Sequence, residues 1–113
     1  MNNERLVVIW TSGDKEVALK MVFMYTIHSK KMGWWDDSEL VVWGPSAKLL
    51  SEDLELQGKI IQMKEIGIKV TACKACTDSY GVTKLLEDLG IEVQYMGEPL
   101  TQYLKEGQKV ITF

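Results

Sequence analysis

Cys73 and Cys76 are the two cysteines of this 113-residue chain, set in the run Ala72-Cys73-Lys74-Ala75-Cys76-Thr77. A loop that short constrains almost nothing in an unfolded chain, so a structural disulfide is not what the spacing serves. If the pair matters, it matters chemically, because the thiolate is the nucleophilic form of cysteine and helix N-termini and nearby cations favour it. Ile68 to Ala72 reads as a strand and a short helical turn follows, which would set the N–H groups of that turn and Lys74 beside a thiolate at Cys73. Thr77, Asp78 and Ser79 make the company polar and predict a sulfur that solvent reaches. The competing reading is that both sulfurs are small buried hydrophobes. Zinc is a third, but closure takes four ligands and the chain offers two Cys and the distant His28, so only a site shared between subunits would complete it. No metal and no cofactor is expected.

The elements that must position these residues follow from periodicity. Arg5 to Thr11 is an apolar, β-branched run suited to a strand covered on both faces. Ser12-Gly13-Asp14 turns the chain, and Asp14 caps a helix whose inner face reads Val17, Met21, Met24, Tyr25, His28 and Met32, closed by Gly33. Leu40 to Trp43 is a second strand. Gly44-Pro45-Ser46 opens a helical stretch that breaks near Ser51 and resumes to Ile66. After the third strand and the cysteine turn, the chain breaks at Gly81. A helix from Thr83 to Leu89, a strand from Ile91 to Tyr95, a last helix that Met96-Gly97-Glu98-Pro99 starts and that runs to Lys105, and a strand from Lys109 to Thr112 complete it. Gly67 and Gly90 each join a helix end to a strand in the same way.

Strands returning through helices must run parallel, which predicts an α/β fold: a three-layer α/β/α sandwich on a five-stranded parallel sheet, in a flavodoxin-like arrangement, as a single domain over residues 1–113. Ligands of such sheets bind at the carboxyl ends of the strands. Ser12, Gly13 and Asp14, then Trp43 and Gly44, then Cys73 to Cys76, then Gly97, converge there. Cys73 and Cys76 are therefore the candidate catalytic residues, with Ser12, Gly13, Asp14, Trp43, Gly44, Lys74 and Gly97 as candidate substrate-binding residues. Asp14 and Glu16 put negative charge where a phosphate cradle needs none, and the third strand ends in Cys where a phosphoacceptor domain would carry Asp.

Composition closes off other classes. Thirteen basic against sixteen acidic residues give a net charge of −3, and Arg5 is the sole arginine, so a nucleic-acid stripe is absent and no nucleic-acid partner is expected. Apolar runs fall far below the ~18 residues of a membrane span. The start, Met-Asn-Asn-Glu-Arg, has no signal-like region, and the cytoplasm is the expected compartment. The methionines at helical spacing are expected in the core, and His28 is expected as a hydrogen-bonded core or interface residue. Trp34 and Trp35 are expected to divide between the helix end and a subunit contact or pocket rim.

Several segments together resemble the DsrE/DsrF-like family of small α/β proteins, which includes sulfur-relay subunits: the opening Leu-Val-Val-Ile-Trp-Thr-Ser-Gly-Asp, Gly-Trp-Trp-Asp-Asp, Val-Val-Trp-Gly-Pro-Ser, Ala-Cys-Lys-Ala-Cys-Thr-Asp-Ser-Tyr-Gly-Val and Tyr-Met-Gly-Glu-Pro-Leu. The resemblance implies strand order 4-3-2-1-5 and assembly into a homo-oligomer, trimer or hexamer. It also implies a persulfide-bearing Cys eight residues before a Gly, the spacing of Cys73 to Gly81. Lys74 and Cys76 stand where relay subunits have small apolar residues. On this basis the expected function is a cytoplasmic sulfur carrier or sulfurtransferase-like protein, receiving sulfur from a donor protein and passing it to an acceptor protein. A dithiol redox protein using Cys73 and Cys76, and a non-enzymatic homo-oligomeric binding protein, are the alternatives.

Overall fold

A strand made of branched apolar residues has no polar face to offer water and must be covered on both sides. β1 (Arg5–Trp10) meets that condition inside the sheet, with every residue from Leu6 to Trp10 buried. The structure, a computed structural model, describes residues 4–113; the reading of the chain start falls partly on residues 1–3, which lie outside the described residues. β1 pairs in parallel with β2 (Asp37–Val42) on one side and β5 (Lys109–Thr112) on the other. β3 (Lys69–Cys73) pairs with β2, and β4 (Glu92–Gln94) forms the far edge, giving the expected order β4-β3-β2-β1-β5.

The helices are α1 (Lys15–Val17), α2 (Phe23–Lys31), α3 (Pro45–Glu52), α4 (Leu54–Glu65), α5 (Lys74–Tyr80), α6 (Thr83–Asp88) and α7 (Gly97–Lys105), with a π-helical segment, Ala18–Val22, between α1 and α2. None is long and apolar enough to cross a membrane among the described residues. The two faces of the sheet are covered unequally. Leu6, Val8, Trp10, Leu40, Val42, Val70 and Ala72 meet a deep core that includes Val22, Phe23, Ala47, Leu50, Leu56, Ile60, Met63 and Leu86. Val7, Ile9, Val41 and Cys73 meet only Met96 as a fully buried partner, with Leu100 and Tyr103 of α7 and Cys76 of α5 half-buried around them.

The first helical stretch packs differently from expectation. Asp14 caps it as read, accepting from the N–H groups of Glu16 at 2.8 Å and Val17 at 3.1 Å. The buried stripe, however, is Ala18, Val22, Phe23, Thr26, Ile27 and Ser29, while Met21, Met24 and Met32 are 42%, 49% and 62% exposed. Small and hydroxyl-bearing residues let the helix lie close to the sheet. Their polarity is no obstacle, because Thr26 Oγ1 donates to the Val22 carbonyl at 2.6 Å and Ser29 Oγ to the Thr26 carbonyl at 2.9 Å. His28 is correspondingly exposed, its Nδ1 3.2 Å from the Met24 carbonyl oxygen. The methionines that are core are Met63 and Met96 instead. Trp35 packs inward with its Nε1 donating to Tyr25 Oη at 3.0 Å, and Trp34 is left 55% exposed.

β2 starts at Asp37, three residues ahead of the expected Leu40, because Glu39 is part of the strand and wholly buried. Its carboxylate is paired with the Arg5 guanidinium and accepts from Thr71 Oγ1 at 2.8 Å and Tyr103 Oη at 2.8 Å. Arg5 also donates to Gln108 and lies over the Tyr103 ring at 4.8 Å from its centre. Removing one member of such a pair leaves the other charge uncompensated. Glu39→Ala is expected to lower stability by about 3–5 kcal/mol in urea unfolding, and Thr71→Val, which removes one hydrogen bond to the charged carboxylate, by about 2 kcal/mol. Equal small losses would show that the pair is not anchored as described.

Candidate functional site

β3 delivers Cys73 to the carboxyl edge of the sheet in extended conformation (φ −76°, ψ 117°), where it is the N-cap residue of α5 without capping through its own sulfur. Cys76 follows one turn later. The segment facing them is the β2–α3 connection. Gly44 there adopts φ 75° and ψ −141°, a region open essentially to glycine alone, and Pro45 begins α3 with its fixed φ. Ser46 clamps this connection, donating to the Trp10 carbonyl and accepting from the Trp43 N–H at 3.2 Å. The Ser46 N–H also donates to the Thr11 carbonyl at 3.0 Å, which ties the ends of β1 and β2 together.

The thiols are both free, Cys73 buried and Cys76 half-buried. The expectation of a solvent-reachable Cys73 is corrected here: it is 4% exposed, packed with Val7, Ile9, Val41 and Met96 on the thinly covered face and flanked by Trp43 and Leu100. Of the polar residues after it, Asp78 and Ser79 lie on the exposed side of α5, and Thr77 is itself buried, its hydroxyl donating to the Lys74 carbonyl at 3.1 Å; none of them opens a path to the sulfur. Burial is the largest influence on Cys76 and pushes its thiol up. The Gly44 N–H directed at the sulfur pulls it down, and the charge and hydrogen bond of Cys73 push it up again. The two sulfurs thus belong to one packed cluster beside the β2–α3 connection, close enough for Cys73 to influence the Cys76 thiol.

The other expected binding residues divide. Trp43 joins the Cys73 cluster and Gly44 meets Cys76. Gly13 is drawn to the same rim by Pro45, whose Cβ would lie 3.3 Å from a Cβ placed on Gly13. Ser12 and Asp14 are engaged in capping, Ser12 Oγ accepting from the Asp14 N–H at 3.1 Å and the Asp14 carboxylate holding the start of α1. Lys74 turns from the sulfurs toward Asp78, Nζ to Oδ2 2.7 Å, with the Tyr95 ring centre 5.7 Å away. That ion pair raises the Lys74 pKa and lowers that of Asp78, so the cation's field is directed at the carboxylate. Gly97 opens α7 on the exposed surface.

Met96, Leu100 and Tyr103, which cover Cys73, were not singled out from the sequence as site residues. The half-buried stripe Leu100 and Tyr103, three residues apart in a short helix, was the available signal. Among the described residues, no group of three His, Cys, Asp or Glu side chains is placed to hold a metal ion. A cleft of about 740 Å³ lies at the amino end of the sheet, lined by residues such as Arg5, Trp35 and Lys109, remote from both cysteines.

A sequence model of the DsrE/DsrF-like family matches residues 6–113. A conserved protein of unknown function from Bacteroides thetaiotaomicron is 40% identical with a TM-score of 0.95, over 98% of this chain and 96% of that one. A protein of unknown function from Methanobacterium thermoautotrophicum is 20% identical with a TM-score of 0.73, over 97% and 99% of the two chains. The ychN protein of E. coli is 19% identical with a TM-score of 0.71, over 99% and 100%. The last two likenesses concern the fold. No curated protein matches the sequence.

The site makes a pH prediction. The folded chain holds the Cys76 proton more tightly than the unfolded one, whose reference value is 9.0. The thiol's contribution to stability is therefore present below that value and lost as pH rises through the folded value. Iodoacetamide capture of Cys76 should titrate at higher pH in the native protein than in urea. A native midpoint at or below the unfolded one would contradict the assigned environment.

Proposed function

Because the chain belongs to the DsrE/DsrF-like family, we propose that it is a sulfur carrier that holds a persulfide on Cys73 and passes the outer sulfur to an acceptor protein. The observation that carries this reading is the pairing of two free thiols at the carboxyl end of β3, beneath the Gly44 connection. The Cys73 thiolate attacks the outer sulfur of a donor persulfide. The donor's S–S bond breaks, its thiolate leaves, and Cys73 carries S–SH. An acceptor thiolate then takes that outer sulfur by the same exchange, and Cys73 leaves as a thiolate.

Cys76 decides how long the load survives. As a thiolate it would attack the inner sulfur of the Cys73 persulfide, expel hydrosulfide and close a Cys73–Cys76 disulfide, the dithiol supplying the two electrons. The raised pKa of Cys76 keeps it protonated near neutral pH and so disfavours that discharge, which suits a carrier. The placement of two free thiols in one packed cluster favours a second reading, a dithiol redox protein, in which disulfide closure is the working step.

Oligomer formation belongs to the same proposal. Met21, Met24, Met32 and Trp34 form exposed apolar surface on one side of the first helical stretch, and further copies of the chain are the expected cover.

Incubation with a small-molecule persulfide should add about 32 Da, one sulfur, to the Cys73 peptide. Cys73→Ser should abolish the adduct, and Cys76→Ser should lengthen its lifetime several-fold. Loading that survives Cys73→Ser rules the assignment out, and disulfide closure without an adduct favours the redox reading. Light scattering should give an oligomer that Trp34→Asp shifts toward monomer; a monomeric parent protein would remove the self-association proposal.

A further inference from the structure

We propose that α7, with Met96 at its start, is a lid over the Cys73 sulfur, held shut by the hydrogen bond from Tyr103 to Glu39. The lid supplies the access step that the carrier reading needs, and it rests on that reading only for what passes through the opening.

The sheet face on which Cys73 sits is closed by Met96, Leu100 and Tyr103, with Trp43 and Cys76 beside them, and Met96 is joined to the helix by the Leu100 N–H donating to its carbonyl at 2.9 Å. No residue of α7 itself is buried. Its inward contacts come down to half-buried residues such as Leu100 and Tyr103, whereas α4 inserts Leu56, Ile60 and Met63 completely. Lifting α7 therefore exposes little apolar surface, and a segment with few buried contacts opens locally far more readily than the core.

One polar tether opposes the opening. Among the described residues, the hydrogen bond from Tyr103 Oη to Glu39 Oε1, 2.8 Å, is the one that joins an α7 side chain to the sheet, and the Arg5 guanidinium stacks on the same ring. The other side-chain hydrogen bonds of α7, from Thr101 to the Gly97 carbonyl and from Gln102 to Glu106, stay local to the helix. The ends suit a hinge. Gly97 has open space where a side chain would stand, and Gly107 turns with φ 74°, also into open space. β5, beyond the hinge, remains fixed by its pairing with β1 from Leu6 to Ile9. The tether acts on Glu39, a group the sulfur chemistry does not use, so access and reactivity can be varied separately.

The test is the rate of iodoacetamide capture of each thiol, read by peptide mass mapping in native buffer and in sub-denaturing urea. In the parent protein, capture of Cys73 should depend only weakly on urea, as local opening does. Tyr103→Phe removes the tether and should accelerate capture of Cys73 about tenfold, the scale of a hydrogen bond to a charged acceptor, with Cys76 unchanged. Leu100→Ala, which thins the cover without touching Glu39, should also accelerate it. An unchanged Cys73 rate in both variants overturns the lid, as does parent capture with the full urea slope of global unfolding. Accelerated capture in a protein that takes no sulfur from a persulfide leaves the lid standing and removes the carrier reading.

Discussion

A parallel sheet must be covered on both faces, and this chain commits most of its helical mass to one of them. The face built from Leu6, Val8, Trp10, Leu40 and Val42 receives the deep core, including Phe23, Leu56, Ile60 and Met63. The face built from Val7, Ile9, Val41 and Cys73 receives α7 and the inner edge of α5. The burial of Cys73, the presence of a carboxylate inside β2 and the shallow seating of α7 all sit on that second face. There the apolar surface available is too small to hold a helix by burial alone, and directional interactions take a larger share of the work.

Glu39 is the centre of those interactions. A carboxylate with no exposure is stable in a sheet only if a cation and hydrogen-bond donors replace the water it has lost. Arg5 from β1, Thr71 from β3 and Tyr103 from α7 do so, which means that three elements distant in sequence converge on one side chain. The pair is not a source of large net stability, since desolvation offsets much of the attraction. Its effect is to specify position, because α7 has to sit where its phenol meets Glu39. Burial and the bond to Glu39 in turn push the Tyr103 phenol up, against the opposing pull of Arg5, so it remains a donor at neutral pH.

The fold was legible in the sequence wherever a local rule acted alone. The runs Arg5 to Thr11 and Ile68 to Ala72 read as strands, within a residue of the observed Arg5–Trp10 and Lys69–Cys73, and the glycines after the helices marked their ends, Gly67 and Gly90 with φ of 91° and 86°. Legibility failed where tertiary context overrode type. Glu39 looks like a reason to begin β2 later, until its partners thirty and more residues away are known. Met21 and Met24 look like core until Ala18, Thr26 and Ser29 are seen to permit closer approach to the sheet. The site divides in the same way: Cys73, Cys76, Trp43 and Gly44 come together, while Asp14, chosen for its place at the sheet edge, and Lys74, chosen for its charge, are absorbed by a helix cap and an ion pair.

That last displacement bears on the chemistry of the sulfurs. A cation placed one residue after a cysteine ought to favour a thiolate, but Lys74 meets Asp78 one helical turn on, and an exposed pair of that kind presents little net field to a third group. What remains near the sulfurs is the N-terminal end of α5, the Gly44 N–H and a hydrocarbon wall. For Cys76 the wall wins, since burial is the largest influence and the Gly44 donor only partly offsets it. The Cys76 thiol is therefore held in its protonated, unreactive form. In a two-sulfur site that matters for any load on the first sulfur, because a resolving thiolate and a stored persulfide cannot coexist three residues apart.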